Sequence, residues 1–208
     1  PQDALVLCNF NQAWKFTPEV FAIWCHVLEA APGSVLWLLQ DAQAEGNLRR
    51  EALAHGIDPG RLVFAPHRPQ AEHLARLACA DLVLDTLPYN AHTTASDALA
   101  AGVPLLTCAG STFASRVAGS LLHAVGLPEL VTGSLADYAQ QALALAAHPA
   151  RLLALRARLA RLRPRAPLFD VARYTHDLEA LYRAMWQRHA AGLPPRLLQL
   201  QGTDLHPD

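Results

Sequence analysis

Short apolar runs alternate along this chain with longer stretches of helical period. Ala4–Cys8, Ser34–Leu39, Arg61–Ala65, Asp81–Asp85 and Pro104–Thr107 read as buried strands, and a short sixth strand is expected at Glu129–Val131. Helical patterns with recognisable ends lie between them. Thr17 caps the first, with Pro18 at its first position and Glu19 in its first turn. The next runs near Asn47–His55 and stops at Gly56, and a short one covers about Gln70–Ala78. Thr94–Ala101 stops at Gly102, and a further helix is predicted from Thr112 to about Ala124. After Ser134 the pattern is helical to about Ala191, with breaks at Pro149 and Pro164–Pro167. Residues 1–191 are thus expected to form one lobe. The tail 192–208, with Pro194, Pro195 and Pro207, is expected to be poorly ordered.

Strands that alternate with helices imply right-handed βαβ units and an α/β fold with a doubly wound, mainly parallel sheet. Such a sheet holds ligands beyond the carboxyl ends of its strands. The segments that lie there are Asn9–Lys15, Pro66–His73, Thr86–Thr94 and Cys108–Ser111. They bring Asn9, Asn11, Gln12, Lys15, His73, Asn90, His92, Thr93 and Thr94 to one edge although these residues are scattered in sequence.

Composition narrows the class. The 208 residues suffice for a full core without disulfide or metal staples. At 52% hydrophobic and 17% charged the chain is not disordered, and a net charge of −1 argues against a generic polyanion binder. No apolar run approaches the roughly 20 residues of a membrane span. Pro1-Gln2-Asp3 lacks the basic start of a signal peptide, so a soluble, cytoplasmic setting is expected. The chain opens without Met and almost directly in a strand, as a piece of a longer protein would. Cys8, Cys25, Cys79 and Cys108 form no C-x-x-C pair and read as buried, reduced thiols. Of the 17 basic residues, all but Lys15 are arginine, the composition of a GC-rich genome.

The edge residues admit both plain and chemical readings. Thr94 and Asp97 have the spacing of a capping box, yet a helix start with His92-Thr93-Thr94 also suits a phosphate, through free N–H groups, the dipole and two hydroxyls. Lys15 is either an exposed loop residue or the point charge that pairs with such a phosphate. His73, early in its helix, is either a surface histidine or one that stacks on a base. No G-x-G-x-x-G follows the first strand and no P-loop motif is present, which argues against a dinucleotide site or a P-loop NTPase. The remaining histidines have no metal-like spacing. Six arginines between Arg151 and Arg165 alternate with leucines, as in an amphipathic helix with a solvated basic face.

Several of these segments, in this order, resemble the C-terminal catalytic lobe of the O-GlcNAc transferase family over about residues 5–192. They are Phe10-Asn11-Gln12 with Lys15 and Pro18, Ser34–Leu39, Ala80-Asp81-Leu82 with Leu84-Asp85-Thr86, and Asn90 with His92-Thr93-Thr94 and Asp97. Ala101-Gly102 with Pro104, Ala114–Ala118, Pro167-Leu168-Phe169 and Met185-Trp186 follow. The resemblance implies a GT-B glycosyltransferase whose Rossmann-like C-terminal lobe holds UDP-GlcNAc and whose whole enzyme transfers GlcNAc to Ser or Thr of an acceptor protein. It implies that Gln12 and Lys15 contact the diphosphate and that Lys15 stabilises the leaving charge. His73 would lie against the uracil, with Arg76 near the base. Thr93 and Thr94 would bind the phosphates with His92 beside them, and Asp97 would hold the ribose. Tyr89 and Asn90 would line the sugar end.

The family inverts the anomeric centre in one displacement, and no metal or other cofactor is expected. Its proposed histidine base belongs to an N-terminal lobe, and its acceptor-binding helical repeats are also separate; neither is part of this chain. Three positions depart from the animal enzymes: Gln70 stands for a nucleotide-contacting lysine, Tyr89 for a cysteine and Ala91 for a glycine. Plant relatives of similar pattern use GDP-fucose. A fucosyltransferase lobe, another GT-B enzyme such as a sugar-nucleotide epimerase, and a non-catalytic interaction module on the same frame are the alternatives.

Overall fold

The computed structural model describes residues 4–200. Six parallel strands form the sheet: β1 (Val6–Asn9), β2 (Val35–Leu39), β3 (Leu62–Ala65), β4 (Leu82–Leu84), β5 (Leu105–Cys108) and β6 (Val131–Thr132). Their spatial order is β3-β2-β1-β4-β5-β6. The chain winds outward from β1 to β3, then returns to the centre and winds the other way from β4. The order reverses between β1 and β4, which opens a crevice beyond their carboxyl ends. The connecting helices are α1 (Pro18–Ala30), α2 (Glu45–Ala54), α3 (Gln70–Leu77), α4 (Thr93–Ala100) and α5 (Val117–Val125), and α6 (Leu135–Ala146) and α7 (Pro149–Leu162) follow β6.

Strands buried on both faces read as unbroken apolar runs, and Leu7, Leu36, Leu82, Leu84, Leu105 and Leu106 are fully buried. Trp24 of α1 and Tyr138 of α6 are both buried, and the indole Nε1–H donates to the Tyr138 hydroxyl at 3.0 Å. That hydroxyl in turn donates to the Asp85 carbonyl at 3.0 Å, so the helical layer is tied to the end of β4.

Element ends follow local chemistry. Thr17 caps α1 by accepting from the Val20 N–H, as its sequence predicts. The helix expected from Thr112 is instead split. Thr112 and Ser115 cap each other around a 3-10 turn at Phe113–Ser115, and α5 starts only at Val117. The sixth strand lies at Val131–Thr132 rather than Glu129–Val131, because Pro128–Leu130 closes into a 3-10 turn first. Cys8, Cys25 and Cys108 are buried, and burial pushes the first two thiols up to about 12 and about 11. Cys79 departs from the expected burial: it follows the C-cap of α3 and is exposed.

The basic run of α7 is not simply a solvated face. Arg156 donates to the Ala78 carbonyl at 2.9 Å and to that of Ala80, past the end of α3. Arg158 reaches Gly126, the C-cap of α5, at 2.7 Å, and Arg163 reaches Ala100 in the last turn of α4. Arg61 does the same for α1, donating to Leu28, Ala31 and Ser34 at 2.7, 2.8 and 2.8 Å. Carbonyls at helix ends lack intrahelical partners and carry the negative end of the dipole, so a forked guanidinium satisfies several at once. Arg61→Ala is expected to lower unfolding stability by about 2 kcal/mol. Arg61→Lys should recover only part of this, as denaturant titration will show.

The chain divides into two compact units after Pro164. The second unit contains a 3-10 turn at Pro167–Phe169 and α8 (Val171–Ala190), whose first turn is capped by the Asp170 side chain accepting from the Arg173 N–H. Residues 193–200 carry no regular secondary structure, and residues 201–208 of the expected tail lie outside the described residues.

Candidate functional site

Two buried asparagines turn the chain as it leaves β1. The Asn9 amide donates to the Leu84 carbonyl at 2.6 Å, and its Oδ1 accepts the Asn11 N–H at 2.9 Å. Asn11 donates to the Thr86 hydroxyl at 3.2 Å and accepts the Thr94 hydroxyl at 2.6 Å. One side chain thus joins the loop after β1, the loop after β4 and the start of α4. Beyond it a 3-10 turn at Ala13–Lys15 leaves Gln12 exposed and Lys15 half-buried.

The loop after β4 is organised by Asp85, which is 2% exposed. Its Oδ1 accepts the Thr86 and Ala91 N–H groups, both at 2.7 Å, and its Oδ2 accepts the Thr107 hydroxyl at 2.6 Å. Burial raises its pKa to about 6, and these hydrogen bonds and the Lys15 charge act in the opposite direction. Asn90 is buried, and its amide donates to the carbonyls of Thr86 (2.7 Å) and Cys108 (3.3 Å). The loop ends at α4, which begins at Thr93 with His92 in the N-cap position and no side-chain cap.

The expected capping box of Thr94 and Asp97 is therefore corrected. Thr94 lies inside the helix and gives its hydroxyl to Asn11, while Asp97 accepts Gln70 Nε2 at 2.8 Å and lies 4.0 Å from His73 Nε2. Long-range partners have taken both side chains away from the local cap. The first N–H groups of α4 are left without an intrahelical partner, at the positive end of the helix.

His73 and Arg76 of α3 form the next wall. Both rest on Phe10: the His73 ring meets it edge-on at 5.3 Å, and the Arg76 guanidinium lies 4.5 Å over it. Arg76 Nε donates to His73 Nδ1 at 3.1 Å, which places the proton of neutral His73 on Nε2. Burial and the neighbouring Arg76 charge lower the His73 pKa, while Asp97 raises it.

At the other end of the crevice, Lys15 Nζ lies 4.3 Å over the Tyr89 ring and 5.9 Å from that of Trp14. Tyr89 stacks on His92 at 5.0 Å and meets Trp14 edge-on at 5.4 Å. His92 Nε2 is 3.2 Å from the Ala114 carbonyl. Partial burial lowers the Lys15 pKa, and Asp85 raises it. Among the described residues Lys15 has no ion pair, and no cluster of three or more His, Cys, Asp or Glu is arranged to hold a metal ion.

The sequence-expected residues therefore fall around one crevice, in two groups: His73, Arg76 and Asp97 at one end, Lys15, Tyr89 and His92 at the other. Thr93 and Thr94 lie at the helix start. Gln12 is placed by the turn, through the Lys15 N–H to Gln12 carbonyl bond of 3.0 Å. Sequence reasoning assigned no role to Asp85, Trp14 or Phe10. An acid closing an apolar strand was the available signal for Asp85; the two aromatics gave none.

A parallel sheet of this order, with its polar groups gathered at the reversal point, is the C-terminal Rossmann-like lobe of a GT-B glycosyltransferase. The chain belongs to glycosyl transferase family 41, whose description matches residues 1–178. It is 41% identical over 195 residues to the UDP-N-acetylglucosamine–peptide N-acetylglucosaminyltransferase of Caenorhabditis elegans, covering 93% of this chain and 17% of that protein. It is 39% identical over 207 residues to the SEC protein of Arabidopsis thaliana, covering 99% of this chain and 21% of that protein. A mutant O-GlcNAc transferase of Thermobaculum terrenum superposes with a TM-score of 0.82 at 34% identity, over 89% of this chain and 38% of that one. Anabaena HepE, in complex with UDP and glucose, has the same fold at a TM-score of 0.61 and 15% identity, over 86% of this chain and 48% of that one. The chain spans about a fifth of the length of the curated relatives it matches.

Proposed function

We propose that the crevice between β1 and β4 holds the nucleoside diphosphate of UDP-GlcNAc, and that the longer protein transfers GlcNAc to Ser or Thr of protein acceptors. The observation that carries this reading is the pairing of an uncapped helix start with an unneutralised lysine. Both are suited to a dianionic diphosphate, and they come from the two strands that flank the crevice. In this reading Thr93, Thr94 and the α4 N–H groups bind the phosphates, with His92 beside them, and Gln12 and Lys15 contact the diphosphate. His73 and Arg76 serve the base, Asp97 the ribose, and Tyr89 and Asn90 the sugar.

The bond from the sugar C1 to the β-phosphate oxygen breaks as the acceptor hydroxyl oxygen bonds to C1 from the opposite face. The hydroxyl proton passes to a base outside this chain. Negative charge grows on the departing diphosphate, where Lys15 and the helix dipole stabilise it from preset positions. That arrangement supplies the needed positive charge without calling on a metal or other cofactor. The remaining GT-B lobe and the acceptor-binding repeats would come from the rest of the longer protein, and nucleic acid and membrane have no role. We place the protein in the cytoplasm, a reducing compartment that suits its buried protonated thiols. Among the described residues, no helix is long and apolar enough to cross a membrane.

Calorimetry on the 208-residue chain tests the reading. UDP is expected to bind, GDP to bind more weakly, and Lys15→Ala to weaken UDP by about tenfold or more, the loss of one charge-assisted contact. Tighter binding of GDP would transfer the reading to a GDP-sugar donor. Absence of any nucleotide binding by the folded chain would contradict it.

A further inference from the structure

We infer that Tyr89 is a positioning residue for Lys15: its ring face, braced by Trp14 and His92, holds the ammonium at the diphosphate end of the crevice without neutralising it. The inference rests on the proposed diphosphate site.

The geometry is specific. Lys15 Nζ lies 4.3 Å from the Tyr89 ring centroid, well within the roughly 6 Å over which a cation is drawn to an aromatic face. The ring itself is held in place. It stacks on His92 at 5.0 Å with 29° between the planes, and the Trp14 edge meets it at 5.4 Å. The Tyr89 carbonyl accepts the Thr86 hydroxyl at 2.5 Å, and Thr86 is fixed in turn by Asp85 and Asn11. The ring is thus anchored to the same network that sets the start of α4.

A flexible four-carbon stem needs such a support. Left in water, the Lys15 ammonium would sample many rotamers, and each would have to be given up when a phosphate arrived. A carboxylate partner would fix the ammonium but cancel its charge and compete with the phosphate. An aromatic face fixes it through the ring quadrupole and leaves the net charge intact. Asp85 is turned to other work, with its oxygens committed to Thr86, Ala91 and Thr107. Partial burial lowers the Lys15 pKa and the Asp85 charge raises it, yet among the described residues no carboxylate lies within ion-pair distance of the ammonium.

Because Lys15 is the one lysine of the sequence, 13C-lysine labelling of the chain gives a single set of side-chain resonances. The Lys15 Hε protons are expected upfield of free lysine through the Tyr89 ring current. Tyr89→Leu should remove that displacement and weaken UDP binding about two- to fivefold, the size of a partly exposed cation–π contact. Tyr89→Phe should restore both. If wild type binds UDP but Tyr89→Leu leaves the Hε shift and the affinity unchanged, the positioning role is overturned and the diphosphate site stands. If Tyr89→Leu lowers affinity while the Hε shift stays in place, the role is also overturned, because the loss then arises elsewhere. If folded wild type binds no UDP, the site itself is overturned, and the positioning role falls with it.

Discussion

Lys15→Ala in the full-length protein is expected to lower kcat by about 100- to 1000-fold, the cost of removing one preset charge stabiliser from a transition state. The ground-state diphosphate of the donor is already charged, so Lys15 contributes to binding before reaction. As the C1–O bond breaks, more charge accumulates on the leaving phosphate than the donor carried. A residue aimed at that developing charge is worth more in the transition state than in the bound donor. Donor affinity should therefore fall less than turnover, and steady-state kinetics with a protein acceptor read the difference. Equal losses in both would mean that Lys15 only holds the donor.

Asp85 carries the second large effect, and it acts on stability. Its folded pKa of about 6 lies above the unfolded value of 3.8, so the folded state holds the proton more tightly. The stability it contributes is fully present below pH 3.8 and is lost as pH rises through about 6. By pH 7 the buried charge costs about 3 kcal/mol relative to the protonated form. The charged and titratable groups that act on it are Lys15 from the loop after β1, Tyr138 of α6 and Cys108 of β5, and burial pushes the last two up and keeps them neutral.

Asp85→Asn keeps an oxygen for the Thr86 and Ala91 N–H groups, and its amide can donate to the Thr107 hydroxyl once that hydroxyl rotates. It should fold and should flatten the dependence of unfolding free energy on pH between 4 and 7. Asp85→Ala leaves three buried donors without an acceptor and should be less stable than Asp85→Asn by about 3 kcal/mol or more. Urea titrations of the three proteins across that pH range check both statements. An Asp85→Asn protein with the wild-type pH slope would mean that another group titrates there.

The fold was largely legible because its signals are local and repeated. Apolar runs between capped helical patterns mark five strands closely, and the alternation implies the parallel sheet. The misplaced boundaries share one cause. Thr112 and Pro128 each form a tight 3-10 turn, which has no long-range sequence period to betray it. The site was legible as a set of residues at one edge and much less as a set of contacts. Thr94 and Asp97 have textual spacing for a cap, but Asn11 and Gln70, 83 and 27 residues away, supply the partners that matter. The α7 arginines look like a solvated stripe until the ends of α3, α4 and α5 are seen beneath them. Asp85 is hidden for the opposite reason. Its sequence position marks only the end of a strand, while its role comes from two backbone N–H groups and a hydroxyl brought together by folding.

One crevice, between β1 and β4, is proposed to receive a uridine diphosphate. Titrating UDP into the 15N-labelled chain and mapping the amide shifts tests it most directly. The predicted shifts are concentrated at Gln12–Lys15, at His73 and Arg76, and from Tyr89 through Asp97, with those of Thr93 and Thr94 among the largest. Amide shifts centred away from these segments, or an unchanged spectrum at saturating UDP, would mean that this crevice does not hold the nucleotide.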